Sequence, residues 1–109
     1  MYLKHMADSL EFIISETAYM TFDEFNNDKK SQFAMVRAFE ILGEAVKNIS
    51  SEYKDKHTDI SWKAIAGTRD VLIHRYFSVD VPQVWTMIEK DVPELYAKIS
   101  ALLKSEENL

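Results

Sequence analysis

The sequence contains no cysteine, and its 109 residues include only two glycines and two prolines. The absence of cysteine excludes a disulfide framework and thiolate chemistry, and it fits a reducing compartment. Few glycines and prolines, with nearly half of the residues apolar, favour helices joined by short connections. No apolar run approaches the roughly 20 residues that a membrane-spanning helix needs. We therefore expect one helical domain in the cytoplasm, without contact to a membrane.

The chain also lacks the basic character of a general nucleic-acid coating protein, because its formal net charge is −5. Its 13 Lys and Arg residues are scattered along the chain, so any contact with nucleic acid must be local. The obvious cationic cluster is Arg69, His74 and Arg75. Three scattered histidines and no spaced group of carboxylates argue against a metal site, and no cofactor is expected.

Hydrophobic periodicity predicts an all-α fold, a four- to five-helix, mainly antiparallel bundle. The single domain covers residues 1–104, and the acidic tail 105–109 is expected to fray. The N-terminal segment already has helical periodicity and an acidic residue, which is atypical of a signal peptide. The predicted helices cover residues 2–19, 21–25, 31–49, 62–77 and 82–104, with a polar connection at 50–59.

Local signals define several of these boundaries. Thr21 and Glu24 have the spacing of a capping box at the second helix, and Ser31 is the expected cap of the third. Gly43 lies inside the third helix, where glycine costs about 1 kcal/mol relative to alanine. The expected compensation is close approach of another helix backbone. Pro93 should kink or split the last helix near Asp91.

The most informative stretch is 62–77, WKAIAGTRDVLIHRYF, whose large apolar residues recur at steps of three and four. Arg69 lies in the middle of this apolar stripe. Because desolvating a guanidinium is expensive, an arginine here requires an anion or hydrogen-bond acceptors. The stripe therefore predicts that Arg69 meets a partner with acceptors or a wet, anion-binding cleft.

His74 and Tyr76 follow Arg69, and each has a simpler interpretation. Tyr76 shares a helical face with Arg69, whereas His74 is offset by about 140° in an ideal helix. A histidine near a helix end is often a cap or a surface residue. An arginine on a stripe often extends its charge to water, and a tyrosine there often packs with a wet hydroxyl. The residue chemistry alone leaves these alternatives open.

Residues 69–76, RDVLIHRY, fit the pattern R-x4-H-x-Y, and the similarity extends along most of the chain. The segment 39–45, FEILGEA, resembles an E-I-I-G-E-A helix. Two further parts of the chain match the same family: Trp62 with the segment 65–67, and the segment 76–80 followed by Val84 and Trp85. From about Leu3 to Leu103 the chain resembles the HEPN ribonucleases, specifically the HepT-like toxins of HepT/MntA toxin–antitoxin pairs.

That resemblance implies a function and an assembly. The chain would be a metal-independent endoribonuclease toxin that cleaves RNA by attack of the 2′-hydroxyl. His74 would be the general acid/base and Arg69 would bind the phosphate. A cognate MntA-like nucleotidyltransferase antitoxin would attach AMP to Tyr76. The family also implies a homodimer in which the Arg–His pairs meet in a shared cleft.

Four further residues are candidates for supporting roles. Asp70 stands where many relatives have Asn, and it offers an acceptor for His74 or Arg69 together with an extra negative charge. Arg75 adds a cation beside the motif. Arg37 and Glu40 line adjacent turns of the third helix and are candidates for the cleft near Arg69. The neighbouring Glu44 is expected to lie on an ordinary solvated face.

Two other classes of function remain open from the sequence. The first is a non-catalytic helical module that binds nucleotide or RNA through Arg69 and partners a nucleotidyltransferase. The second is a structural homodimer without any nucleic acid. RNA digestion by the wild type and by His74→Ala separates the enzyme from the module, because fold and motif alone do not establish function.

Overall fold

The first three helices form one side of the molecule. The structure, a computed structural model of the chain, describes residues 2–68, 73–74 and 78–107. Helix α1 spans Tyr2–Thr17, α2 spans Phe22–Asn26 and α3 spans Lys29–Lys47. Helix α1 packs against α3 along its length. The buried face of α1 carries apolar residues at steps of three and four, among them Leu3, Met6, Leu10 and Ile13. Their spacing follows the 3.6-residue period of an α-helix, so they share one face, and that face is the one that packs in the core.

The caps of α2 and α3 test two sequence predictions. The capping box at Thr21 is confirmed: its hydroxyl accepts from the Glu24 N–H at 3.2 Å, and the Glu24 carboxylate accepts from the Thr21 N–H at 2.9 Å. The prediction of Ser31 as the α3 cap is wrong. Asp28 is the cap, and its carboxylate accepts from both the N–H and the hydroxyl of Ser31. A carboxylate at the helix N-terminus also complements the helix dipole.

The connection predicted at 50–59 contains a helix. Helix α4 spans Ser51–Lys56, and the Ser50 hydroxyl caps it by accepting from the Tyr53 N–H at 3.2 Å. The Tyr53 ring packs on the ring of His57 at a centroid distance of 4.4 Å. His57 is thus half-buried rather than a free surface residue. The polar composition concealed this helix, because its contacts are the Ser50 cap and the packing of Tyr53 on His57, Trp62 and the core.

The central helix is much shorter than predicted. Helix α5 spans only Trp62–Ala66, and Gly67 is its C-cap. Strand β1, Ile73–His74, pairs antiparallel with β2, Ser78–Val79. A helix running through residues 62–77 is therefore wrong. Glycine ends helices readily, and β-branched residues in both strands favour extended backbone.

The last helical segment changes geometry before Pro93. Helix α6 spans Val81–Thr86, a π-helix covers Met87–Asp91, and α7 spans Val92–Glu107. The Val92 N–H bonds to the Met87 carbonyl, five residues back. This confirms the expected interruption near Asp91, since Pro93 has no N–H for the regular pattern. Helix α7 continues three residues beyond the predicted end at Lys104.

One apolar core joins all of these helices. Its fully buried side chains come from α1, α2, α3, α6 and α7, and they include Phe25, Phe39, Met35, Val84 and Ile99. The fold is an all-α bundle with one minimal antiparallel pairing in the part that the structure describes. Among the described residues, no helix is long and apolar enough to cross a membrane.

Candidate active site

The predicted site falls mostly in a segment that the structure does not describe. Arg69, Asp70, Arg75 and Tyr76 lie outside the described residues. His74 is described only through its backbone, which belongs to β1 and is paired with Ser78. The structure therefore defines the two ends of the motif segment and the framework behind it.

Thr68 anchors the start of the segment. Its side chain is buried, and its hydroxyl lies 2.9 Å from the carbonyl oxygen of Ile65 and 3.5 Å from that of Phe39. The hydroxyl donates to this pair of acceptors, one on α5 and one on α3. A buried hydroxyl without a partner would be costly, so this arrangement fixes where the chain leaves α5.

Gly43 of α3 lies directly against the same C-terminal end of α5. A Cβ atom built on Gly43 would lie 3.3 Å from the carbonyl oxygens of both Ile65 and Ala66. That distance is tighter than an ordinary van der Waals contact, so only glycine lets the two backbones approach so closely without displacement. The expectation that Gly43 permits close helix approach is confirmed.

The opposite end of α5 is held by α4. The Trp62 indole N–H donates to the His57 carbonyl oxygen at 2.9 Å, and the Tyr53 ring meets the Trp62 ring edge-on. Burial raises the pKa of Tyr53, and the nearby Glu106 carboxylate raises it further. The bond of Trp62 to α4 holds one end of α5, and the contacts of Thr68 and Gly43 hold the other, although the helix contains only five residues.

The far end of the motif segment is also anchored. Val79 packs against the core. The next residue, Asp80, caps α6 by accepting from the Gln83 N–H at 3.2 Å, and its carbonyl accepts from the Val84 N–H. The segment carrying the R-x4-H-x-Y motif thus runs between two anchors, Thr68 and Val79–Asp80.

Arg37 and Glu40 lie on α3 close to this framework. The Arg37 guanidinium is 3.9 Å from the Glu40 carboxylate, with the Arg37 side chain 68% exposed and the Glu40 side chain 27% exposed. Glu40 follows Phe39, whose carbonyl receives the Thr68 hydroxyl. Glu44 is exposed and pairs with Lys47 at 3.8 Å, which confirms its solvated position. A contact of Arg37 or Glu40 with Arg69 stays a prediction.

A cleft of about 350 Å³ opens beside Thr68. Its walls are mainly apolar and include Phe39, Ile65 and Met87, with Asp59 and Lys98 among the polar lining residues. Sequence reasoning did not predict this cleft or the role of Thr68. Thr68 was detectable only as a polar residue in a stripe of apolar ones. Among the described residues that line the cleft there is no histidine or arginine.

No cluster of three or more potential metal ligands occurs within the described ranges 2–68, 73–74 and 78–107. Metal ligation normally needs three or four convergent His, Cys, Asp or Glu side chains. The described residues thus offer no ready-made metal site.

The fold and the bracketed motif define a small helical-bundle protein whose distinctive polar residues sit in one short segment. A family model described as ribonuclease HepT-like matches residues 6–102. The chain belongs to this HepT-like ribonuclease family.

Individual relatives agree with the family match. A protein of Thermococcus cleftensis named probable ribonuclease HepT is 45% identical over 94% of both chains. A protein of Caldanaerobacter subterraneus subsp. tengcongensis whose name describes a putative RNase is 42% identical over 96% of this chain and 94% of its own. A similarly named protein of Methanocaldococcus jannaschii is 38% identical over 97% of this chain and 88% of its own. No solved structure matches the chain in the structural comparison.

Proposed function

We propose that this chain is a metal-independent endoribonuclease toxin of a HEPN/nucleotidyltransferase toxin–antitoxin system and acts in the cytoplasm. The observation that carries the proposal is the family match over residues 6–102, which includes Arg69 and His74 at R-x4-H spacing. Relatives of nearly equal length carry names that describe ribonucleases. The negative net charge agrees with an RNA contact limited to one cationic cluster.

The proposed chemistry uses the RNA's own 2′-hydroxyl as the nucleophile. His74 removes the 2′-proton or protonates the leaving 5′-oxygen, since imidazole titrates near neutral pH. The 2′-oxygen–phosphorus bond forms and the bond to the 5′-oxygen breaks. The products are a 2′,3′-cyclic phosphate and a 5′-hydroxyl. Arg69 binds the phosphate and stabilises the charge that builds in the transition state.

RNA digestion in the presence of EDTA tests this mechanism. We expect His74→Ala and Arg69→Ala each to lower cleavage by about 100-fold or more, in line with loss of an acid–base group or of a transition-state donor. His5→Ala, an exposed histidine of α1, and Lys47→Ala, an exposed cation of α3, are matched controls that should retain activity. Product ends should be cyclic phosphate and 5′-hydroxyl.

The same experiment distinguishes the other candidate functions. If neither the wild type nor His74→Ala cleaves RNA, but both bind it through Arg69, the chain is a non-catalytic binding module. If the wild type cleaves no RNA and Arg69→Ala leaves RNA binding unchanged, the result favours the structural homodimer without nucleic acid. Chelation that abolishes wild-type cleavage would contradict the metal-independent mechanism.

Supporting roles follow from the positions of four more residues. Asp70 is proposed to orient His74 or Arg69 by accepting a hydrogen bond, and Arg75 to contact an additional RNA phosphate. Arg37 and Glu40 lie on the α3 turn next to the anchor of Thr68. We propose that they line the RNA-binding cleft near Arg69 and adjust the orientation of the Arg69 side chain.

Regulation is proposed to occur at Tyr76. The partner is a cognate MntA-like nucleotidyltransferase that attaches AMP to the tyrosine hydroxyl and releases pyrophosphate from ATP. A bulky anion beside Arg69 would occupy the phosphate site and repel RNA.

Incubation of the purified chain with its cognate transferase and ATP tests this regulation. The wild type should gain the mass of one AMP on Tyr76 and lose nuclease activity, whereas Tyr76→Phe should remain unmodified and active. Tyr19→Phe is a matched control, because Tyr19 is 98% exposed and lies outside the motif. Modification of Tyr76→Phe at wild-type levels would contradict the assignment.

The active form is proposed to be a homodimer. Several large apolar side chains are exposed on the single chain, among them Phe33 at 58% and Ile41 at 39% on α3. Residues eight apart lie on one face of a helix, so these two form part of one stripe. A two-fold dimer is the commonest assembly that covers such a face. In the proposed dimer the motifs of both copies meet in one cleft.

A further inference from the structure

We propose that Gly43 is a positioning residue for Arg69. Its role is to let the end of α5 lie directly on the α3 backbone, so that the chain leaves α5 at the point required for catalysis. The inference rests on the proposed function of Arg69 as the phosphate-binding group. Gly43 itself contacts neither RNA nor the reacting atoms in this proposal.

The contact geometry explains why this position is sensitive. A Cβ on Gly43 would lie 3.3 Å from two successive carbonyl oxygens, those of Ile65 and Ala66. Backbone atoms cannot rotate away as the tip of a flexible side chain can. Accommodation of a methyl group therefore requires the end of α5 to move by a few tenths of an ångström.

The surrounding contacts determine which end of α5 moves. The N-terminal end is held by the buried Trp62, whose indole donates to the His57 carbonyl. The C-terminal end is followed by Thr68, whose hydroxyl reaches the Phe39 carbonyl over the longer distance of 3.5 Å. Because the two carbonyl oxygens that meet the added methyl group belong to the last two residues of α5, the displacement should fall on the C-terminal end, which leads into Arg69.

The two glycines of the chain provide a matched experiment. A Cβ on Gly67 would lie 3.6 Å from the Lys63 carbonyl oxygen and 3.9 Å from that of Ala64, both ordinary contacts. Gly67 is also closer to Arg69 in the sequence. Gly67→Ala therefore introduces the same methyl group without the same displacement. Neither glycine has a positive φ, and the larger displacement is only a few tenths of an ångström, so neither variant is expected to unfold the chain.

Steady-state RNA cleavage by the two variants is the test. Gly43→Ala should lower kcat by about tenfold with KM within about twofold of wild type, since misplacement of a transition-state group mainly affects the chemical step. Gly67→Ala should keep kcat within about twofold. The folded fraction of each protein is measured by thermal unfolding, so a loss of folded enzyme is not mistaken for a loss of rate. Equal kcat values for Gly43→Ala and wild type would overturn the proposal.

A second readout separates this inference from the proposed nuclease. If the wild type cleaves no RNA, the nuclease is wrong, and the backbone amide NMR signal of Arg69 decides the positioning. Gly43→Ala should shift that signal although the two residues are 26 positions apart in the sequence. Ile41→Val, on the partly exposed face of α3, is the control and should leave it in place. An unchanged Arg69 signal in Gly43→Ala would overturn the positioning role.

Discussion

Thr68 illustrates how one buried hydroxyl links distant parts of the chain. It joins the last turn of α5, through Ile65, to Phe39 on α3, which is 29 residues earlier. Only a polar side chain with a free donor makes both contacts. Its neighbour Gly67 contributes no side chain, so the tether between α3 and the end of α5 depends strongly on this hydroxyl.

We predict that Thr68→Val lowers the free energy of unfolding by about 1 kcal/mol, the typical net value of a hydrogen bond. The substitution keeps the shape of the side chain and removes its donor. Urea denaturation measures the change. Thr68→Ser keeps the hydroxyl and should recover most of the hydrogen-bond contribution. A Thr68→Val protein as stable as wild type would show that the hydroxyl bonds contribute no net stability.

Caps and interruptions determine where each helix begins and ends. Thr21, Asp28, Ser50 and Asp80 each accept hydrogen bonds at a helix N-terminus. In the last helical segment, a π-helical turn before Pro93 interrupts the regular helix. These local devices explain why short helices such as α2 and α4 exist, because helices of five or six residues are not stable by propensity alone.

The cap of α3 should make stability depend on pH. The Ser31 hydroxyl and N–H hold the pKa of Asp28 below its ordinary value of 3.8. The depressed pKa means that the carboxylate stabilises the fold above the unfolded pKa, and that this stabilisation is lost as the pH falls through the folded pKa. Asp28→Ala should therefore lower the melting temperature at pH 7, and the difference from wild type should shrink below about pH 4.

Melting curves measured between pH 7 and pH 3 check this prediction. Asp55→Ala, which removes an exposed carboxylate near the end of α4, is the control for a general change in charge. Asp28→Asn should keep part of the cap because its amide oxygen still accepts from the Ser31 N–H. A difference between Asp28→Ala and wild type that persists unchanged at pH 3 would contradict the carboxylate's role.

At the scale of the whole molecule, the question is whether one chain contains a complete site. The bundle has one core, yet Phe33 and Ile41 remain exposed on α3. The proposed dimer would cover such surface and bring two motifs together.

Mixed dimers provide a direct prediction. We expect Arg69→Ala and His74→Ala to be inactive separately, and their mixture after subunit exchange to recover a substantial fraction of wild-type cleavage. Recovery occurs because a hybrid dimer contains one intact Arg69 and one intact His74 from different chains. Sedimentation of the wild type should give the mass of two chains. A monomeric mass, or a mixture that stays inactive, would contradict the shared site.

Much of the fold follows from local residue patterns. The inward stripe of α1, the capping box at Thr21 and the interruption before Pro93 all depend on neighbours within a few residues. Such features were predictable because helix periodicity, capping and proline geometry are local rules. The family was also recognisable, since the R-x4-H-x-Y pattern and its flanking segments are continuous in the sequence.

The sequence by itself therefore determined the helical class, the main helices, the family and the residues proposed for catalysis. Tertiary structure decided that residues 73 and 74 are extended, because the pairing of Ile73 with Val79 competes with a helical pattern that continues through them. It also decided which α5 carbonyls rest on Gly43 and which carbonyls accept from Thr68. The contacts of Gly43 with α5 and the bond between Thr68 and Phe39 join residues more than twenty positions apart. Periodicity along one segment carries no information about the distance between two segments.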